Sequence, residues 1–542
     1  MISEAVILIL TLAGLCYLFF RYKTTYWSRL GFPSITEGIV FPLGNDPTFH
    51  LDVFLQKRNT AYCMMDLYQK TKDLPFCAYY SVLGNPLLLV NDLDLVKHIL
   101  IKDFDNFVDR FGALNVFGGD SNVFTDKIWR QQLLSLKGDL WKDVRSIFSP
   151  VFTSGKMKLM MHFMKSISRN LQAEMQEAVD AKGPIDLKEL FAKYSMDTIA
   201  TCGFGVDAGS FTATGESKFV EHARNTFARK GIDNFKFLCS ALPGVNGFCK
   251  MLGMPFFKPE ETQFFYDIIM QVIRHRMESK ERKNDLVDLM IDAIKFEKTL
   301  TPDETETDSH SQYDQDAKLD HKVKKTAQFD ETLVVSNSLL ILIAGYDTTA
   351  MTMTYCAYEL ARQPNLQDRL LSEIDEALEG LEEGQDFPDY QVIQELPYLD
   401  AVLQETLRLH APIPLVSRVC ANDYKIPGHD HVIPKGTEVN MYSYCIMRDE
   451  RHFPNPDKFD PEHFSREAKA KRNPYAFLPF GQGPRACIGM RFALLEAKIG
   501  LIAILSRFRI TTCPETPKEA VRDHTTFLGN PRDKLWVAVT PR

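Results

Sequence analysis

Between Phe480 and Gly489 the chain reads Phe-Gly-Gln-Gly-Pro-Arg-Ala-Cys-Ile-Gly, one cysteine hemmed by glycines and followed by an apolar helical pattern from Met490 to Lys498. Gly481, Gly483 and Gly489 allow tight turning and close approach to a flat ligand that a Cβ would push away. Cys487 then stands at the start of a helix, where orphan N–H groups and the dipole favour thiolate over thiol. Such a thiolate, with Arg485 two residues upstream, suits ligation of an iron and the holding of an acidic cofactor edge. A buried structural cysteine in a Gly-rich turn is the plain alternative. The demanding spacing Phe-x-x-Gly-x-Arg-x-Cys-x-Gly weighs against it.

A second grouping lies in the apolar run Leu339 to Ala350, where Gly345, Asp347 and Thr348 interrupt a helical pattern. Glycine inside a helix costs about 1 kcal/mol against alanine. A buried carboxylate needs a partner or shifts its pKa upward, and a threonine hydroxyl can bond back to a carbonyl one turn earlier. Unfavourable choices in succession point to a groove with small residues above a flat ligand and an acid beside an alcohol for moving protons. A helix break capped by Asp-Thr is the alternative. Glu405 and Arg408 stand at i and i+3 on one helix face, close enough to pair, although alone such a pair says little. Trp141 and Arg145 share a face one turn apart, which an ordinary amphipathic helix would also give.

Taken with these, the Cys487 loop resembles the haem-ligand loop of the cytochrome P-450 monooxygenases. Ala344, Gly345, Asp347, Thr348 and Thr349 match the family's Ala/Gly-Gly-x-Asp/Glu-Thr-Thr motif, and Glu405 and Arg408 match its structural pair. The resemblance implies haem b as cofactor, Cys487 as the iron ligand, and Phe480 and Gly489 in the loop around it. It implies that Thr348 lines an oxygen pocket while Asp347 helps relay protons to it. Trp141, Arg145, Arg485 and Arg418 would contact the haem propionates, for which cationic and indole donors are the right chemistry. One departure is Pro461-Glu462-His463-Phe464, where His463 replaces the arginine that usually completes the Glu405–Arg408 network. Trp141 to Lys156, Met196-Asp197 and Phe477 to Phe480 resemble the clan of arthropod detoxifying and vertebrate liver drug-oxidising enzymes.

The elements that must position these residues read as mainly α with small β-sheets, the cytochrome P-450 fold preceded by one transmembrane helix. Helical periodicity covers 141–180, 187–204, 216–230, 259–298, 330–362, 365–378 and 396–410. A hairpin is expected over Phe76 to Val90 about Gly84-Asn85, a capped helix from Leu93, and a second β-rich zone from Pro412 to Met441. At 542 residues the length suggests three or four domains. Site features near positions 141, 345, 408 and 487 instead require most of the chain to fold around one centre.

Ala5 to Phe20 is an uncharged apolar run followed by Arg21, Lys23 and Arg29, with no cleavage signature. It reads as an anchor over residues 1–22, a short stiff linker over 23–45 and a catalytic domain over 46–542. Positive charge after the run places the catalytic domain on the cytoplasmic side of a single-pass anchor, and the resemblance implies the endoplasmic reticulum membrane. Residues 301–330 carry eight acidic residues and four lysines with few apolar groups, the composition of a mobile surface insertion.

The 11 cysteines show no CxxC pair, so no zinc site or disulfide framework is indicated. A net charge of −8 argues against nucleic-acid binding. Without a dinucleotide fingerprint, electrons must come from a partner. The resemblance implies an NADPH-cytochrome P-450 reductase, with a cytochrome b-type protein as a second donor. Lys137, Lys142, Lys469, Lys471, Arg472, Arg491 and Lys498 are expected to form its docking face. Phe107, Phe111, Phe117, Phe124, Phe235, Phe237, Phe248, Phe256 and Phe257, with Ile413 to Val416, suit a lipophilic substrate, with O2 and membrane lipid as further partners. A haem-thiolate isomerase or dehydratase and a non-catalytic haem-binding protein are the alternatives. Neither needs the Asp347-Thr348 pair.

Overall fold

The computed structural model describes residues 2–110, 124–211, 217–227, 255, 257–283, 285–294, 331–381 and 385–542. The acidic segment 301–330, and Phe111, Phe117, Phe235, Phe237, Phe248 and Phe256, lie outside them. Helix α1 (Ile2–Lys23) contains an 18-residue window of mean hydropathy 1.7 and is long and apolar enough to cross a bilayer. Leu8, Leu10, Leu15 and Leu18 lie exposed along it, and only at its end does it meet the body. There Phe20 is buried, with Phe41 edge-on at 5.3 Å.

The expected linker is part of the body. Trp27 and Phe32 are core residues at 0% and 5% exposure. The Pro33 carbonyl accepts from Ala78 N at 2.8 Å, and Ile35 N donates to the Ala78 carbonyl at 3.0 Å, so the segment adds to a sheet edge. Aromatic side chains too large to leave in water decide this, and the body begins near Thr24, itself buried, rather than at residue 46.

That sheet has four strands. Strands β1 (Phe76–Tyr80) and β2 (Pro86–Val90) are the expected hairpin, with Phe76 opposite Val90. Its left-handed residues are Leu83 (φ 55°) and Gly84 (φ 72°) rather than Gly84-Asn85, because a five-residue connection takes a 3-10 turn. The following helix Leu93–Lys97 is capped as expected, Asp92 accepting from Leu95 N at 2.7 Å. Later in the chain come β4 (Val416–Val419) and β7 (Glu438–Met441), antiparallel to each other, with β7 parallel to β2. Smaller sheets are β5 (Tyr424–Lys425) with β6 (Val432–Ile433), and β3 (Ile185–Asp186) with β9 (Trp536–Pro541) and β8 (Phe508–Thr511).

Helices make up the rest. The expected 141–180 helix is two, α2 (Gly138–Phe148) and α3 (Ser154–Ala181), because Pro150 lacks a donor and a 3-10 turn intervenes before extended Thr153. Helix α4 (Leu187–Phe204) runs from an Asp186 cap to left-handed Gly205 (φ 62°), matching the sequence bounds. Helix α5 (Lys218–Phe227) follows. The expected 259–298 helix divides at Lys280 (φ 55°) into Pro259–Ser279 and Leu286–Ile294. Helix α6 (Glu331–Arg362) has the length of a membrane span but is mostly buried, packed against α4, α7 (Pro397–Leu409) and α8 (Met490–Leu505).

Candidate active site

The cysteine loop is folded on its own backbone: Cys487 N donates to the Phe480 carbonyl at 2.9 Å and Ala486 N to that of Gly483 at 2.8 Å. Gly481 (φ 69°) and Gly483 (φ 74°) adopt conformations that a side chain would strain. A Cβ on Gly483 would also lie 1.9 Å from the Leu100 carbonyl oxygen, so its smallness serves a contact within the protein. Gly489 has an ordinary φ of −91° and is the N-cap of α8, so nothing in the backbone demands glycine there. Cys487 thus lies two residues before the N-cap of α8 rather than at the helix start itself. Its surface is exposed, yet burial is the main influence on its thiol and pushes it up. The two agree if the exposed surface opens on an internal cleft rather than bulk water. The Gly489 N–H, Arg145 and Arg110 pull the thiol the other way.

Four arginines converge on this loop. Arg145 on α2 donates to the Ala486 carbonyl at 2.9 Å, and Arg110 to that of Arg485 at 2.6 Å. Arg485 donates to the Leu136 carbonyl at 2.6 Å and lies 4.2 Å over the Trp141 ring. Arg418, on β4 and fully buried, donates to its neighbour's carbonyl at 2.8 Å. Burial and the neighbouring cations push Arg485 down to about 8, and push Arg418 down as well. Arg418 Nε and Nη2 and Arg485 Nε and Nη1 are buried donors with no acceptor among the described residues. Buried like charges with unmet donors call for an anion. A cofactor with two carboxylates beside a thiolate-ligated metal supplies one, so the residues fit haem. Arg110 was not apparent from the sequence, because it belongs to no spacing that marks it. Arg418→Leu and Arg485→Leu should each weaken haem retention, on the order of 10–100-fold as for other outer-shell partners. Rates of haem transfer to an excess of apomyoglobin measure this.

On α6, Thr348 donates from Oγ1 to the Ala344 carbonyl at 2.7 Å, leaving its oxygen able to accept. Ala344 is exposed within an otherwise largely buried stretch. Gly345 faces elsewhere: an added Cβ would lie 3.2 Å from Ile199 Cδ1, so the glycine brings α6 close to α4. Asp347 Oδ2 accepts from Asn530 Nδ2 at 2.8 Å. Burial raises its carboxyl, opposed by Asn530, Lys188 and Arg224. The folded state therefore holds this proton more tightly than the unfolded chain. Stability from the group is full below about pH 4 and is lost as pH rises through the raised native value. Asp347→Asn is expected to gain in melting temperature on the native protein as pH rises, while turnover falls. Melting curves from mildly acidic to mildly alkaline pH test the first half.

Glu405 and Arg408 on α7 are both fully buried, and Arg408 grips the carboxylate with Nε at 2.7 Å and Nη2 at 2.8 Å. His463 takes the third place, Nδ1 standing 3.1 Å from Glu405 Oε1 and Nε2 2.7 Å from the Pro454 carbonyl. A cationic ring satisfies both acceptors, a neutral ring only one. The network is closed with histidine in place of arginine.

Residues 49–537 match the cytochrome P450 family. Cytochrome P450 6k1 of Blattella germanica is 35% identical over 517 residues, covering 95% of this chain and 93% of its own. Cytochrome P450 6a2 of Drosophila melanogaster is 34% identical over 513 residues, with coverage of 93% and 92%. Cytochrome P450 6a8 of the same fly is 31% identical over 538 residues, covering 97% of each.

Proposed function

The chain belongs to the cytochrome P450 family, and from that premise we propose that it oxygenates lipophilic foreign or endogenous compounds at the endoplasmic reticulum membrane, using electrons from an NADPH-dependent reductase. As a member it is a haem-thiolate monooxygenase that takes O2, a lipophilic substrate and a redox partner. The Asp347-Thr348 pair, which neither the isomerase nor the non-catalytic reading needs, supports the monooxygenase over both. Bound haem supplies the reductive activation of dioxygen and insertion of one oxygen atom, and the protein supplies positioning and proton management.

Cys487 would hold the iron, while Arg110, Arg145, Arg418 and Arg485 would hold the propionates, with Trp141 stacked beneath Arg485. Asp347 would hold a proton within α6 and Thr348 would accept and pass one through its hydroxyl oxygen. The observation that carries this reading is the set of buried arginine donors beside Cys487 that have no acceptor among the described residues. Apolar surface at Ala344 and at Ile413, 44% exposed just before β4, supports an apolar substrate. Purified protein with added reductase should take up oxygen in an NADPH- and substrate-dependent way, and absence of uptake with intact haem would overturn the reading.

Arg21 and Lys23 at the end of α1, and Arg29 over the Tyr22 ring at 4.0 Å, support a cytoplasmic body. The reductase face is smaller than the sequence suggested. Lys498 is buried on Asp400 at 2.8 Å and on two carbonyls. Arg472 lies 4.3 Å over Phe453 and donates to the His463 carbonyl at 2.6 Å. Lys142 is paired with Asp105 at 3.0 Å. Lys137, Lys469 and Lys471 remain exposed. Lys469→Glu with Lys471→Glu should slow NADPH-driven haem reduction several-fold at low salt, the gap closing at high salt, with haem content unchanged. Stopped-flow reduction under carbon monoxide measures it.

A further inference from the structure

The C-terminal loop from Arg522 to Arg532 is sewn to α6 at two points. Tyr355 OH donates to the Gly529 carbonyl at 2.8 Å, and Asn530 Nδ2 donates to Asp347 Oδ2 at 2.8 Å. The loop is closed on itself, since Asp523 N donates to the Asn530 carbonyl at 2.8 Å and Arg532 N to that of Val521 at 2.8 Å. It is also fixed to the segment between α7 and β4: Gly529 N donates to the Pro412 carbonyl at 2.9 Å, and Arg522 to that of Ala411 at 2.8 Å. Gly529 admits no side chain, because a Cβ would lie 2.6 Å from Arg522 and 2.8 Å from the Ala411 oxygen. Asn530, only 8% exposed, therefore has little freedom in where it points its amide.

We propose that Asn530 is a positioning residue for the proton-bearing carboxyl: its amide fixes Asp347 in one orientation and couples the C-terminal loop, with Phe527 and Leu528 at its turn, to proton supply beside Thr348. The inference rests on the reading of Asp347 and Thr348 given above. Two physical facts carry it. Asp347 lies in a setting that opposes its charge, and the amide N–H of Asn530 is the hydrogen bond that favours the ionised form, with Lys188 of α4 and Arg224 of α5 adding favourable electrostatics. In addition, a carboxyl bonded through Oδ2 presents Oδ1 as the oxygen that takes up and releases the proton. A displacement of the loop by bound substrate would then alter how readily Asp347 gives up that proton.

The test compares Asn530→Leu, which removes the donor, with Asn530→Asp, which keeps the shape and reverses the hydrogen-bond sense. The buried carboxylic-acid band in pH-difference infrared spectra, assigned by its loss in Asp347→Asn, reports Asp347 without any need for turnover. Its midpoint should move upward by about one to two units in Asn530→Leu and upward again in Asn530→Asp, where two carboxyls share a site. In the reconstituted enzyme the fraction of NADPH electrons recovered in product should fall several-fold in both, with peroxide released instead. Neither substitution should add to Asp347→Asn. An unmoved midpoint, or a coupling loss that persists undiminished in the Asp347→Asn background, overturns the proposal. Failure of the broader reading is separately visible, as a native protein without the red-shifted Soret band of the reduced carbon monoxide complex. Should Asn530→Leu yield no folded protein, Asn530→Asp decides by the same midpoint.

Discussion

Arg408→Ala is expected to cut the yield of folded holoprotein steeply, through a loss of about 3–5 kcal/mol from breaking a buried pair by one partner. The residue is fully buried and spends its donors on Glu405 through two bonds and on the carbonyls of Met447 at 2.9 Å, Pro456 at 2.7 Å and Lys458 at 3.1 Å. Truncation would leave a buried carboxylate with only Asp460 N at 2.7 Å and His463 at 3.1 Å, and three backbone acceptors short of a donor. Domains of ordinary stability hold about 5–15 kcal/mol in total, so the loss is a large share of it. Lysine would restore charge but not the planar fork that reaches carboxylate and carbonyls together, so Arg408→Lys should recover only part. Urea unfolding midpoints and haem content per chain measure both. A midpoint for Arg408→Ala within error of the native protein would refute the role.

How much of this was legible in the sequence depended on whether a residue's partner was local. The α4 boundaries were legible because Asp186 caps one end and Gly205 stops the other. The Glu405–Arg408 pair was legible because i and i+3 share a helix face. Pro150 was a visible breaker, and a pattern read only for apolar spacing ran through it. Strand β9 was not legible because its pairing with β3 and β8 brings distant parts of the chain together. The same holds at the site: Asn530 meets Asp347 across 183 positions, and Arg110 meets Arg485 across 375. Neither contact leaves a periodic trace. Gly345 shows the opposite failure, a residue marked correctly as unusual whose smallness is spent against Ile199. The segment 23–45 looked like a linker by its prolines and glycines, while Trp27 and Phe32 had already committed it to the core.

Cys487→Ser should remove the thiolate signature altogether: the reduced carbon monoxide complex loses its red-shifted band and NADPH-driven oxygenation falls to background. A serine hydroxyl keeps the shape of the loop, since the bonds that fold it run through the backbone of Phe480, Gly483, Ala486 and Cys487. It cannot supply a soft anionic ligand. The arginine cradle should survive the change, because Arg145 and Arg110 bond to the carbonyls of Ala486 and Arg485 rather than to the sulfur. Haem should therefore still associate, weakly and without the thiolate spectrum. Arg418→Leu predicts the reverse pattern, with the thiolate spectrum kept and retention loosened, because Arg418 is buried and its Nε and Nη2 have no acceptor among the described residues. Measured side by side, the two variants separate the atom that ligates the metal from the charges that hold its carboxylates. If Cys487→Ser kept the red-shifted band, the ligand would have to be another residue, and the assignment of Cys487 would fall while the arginine cradle stood.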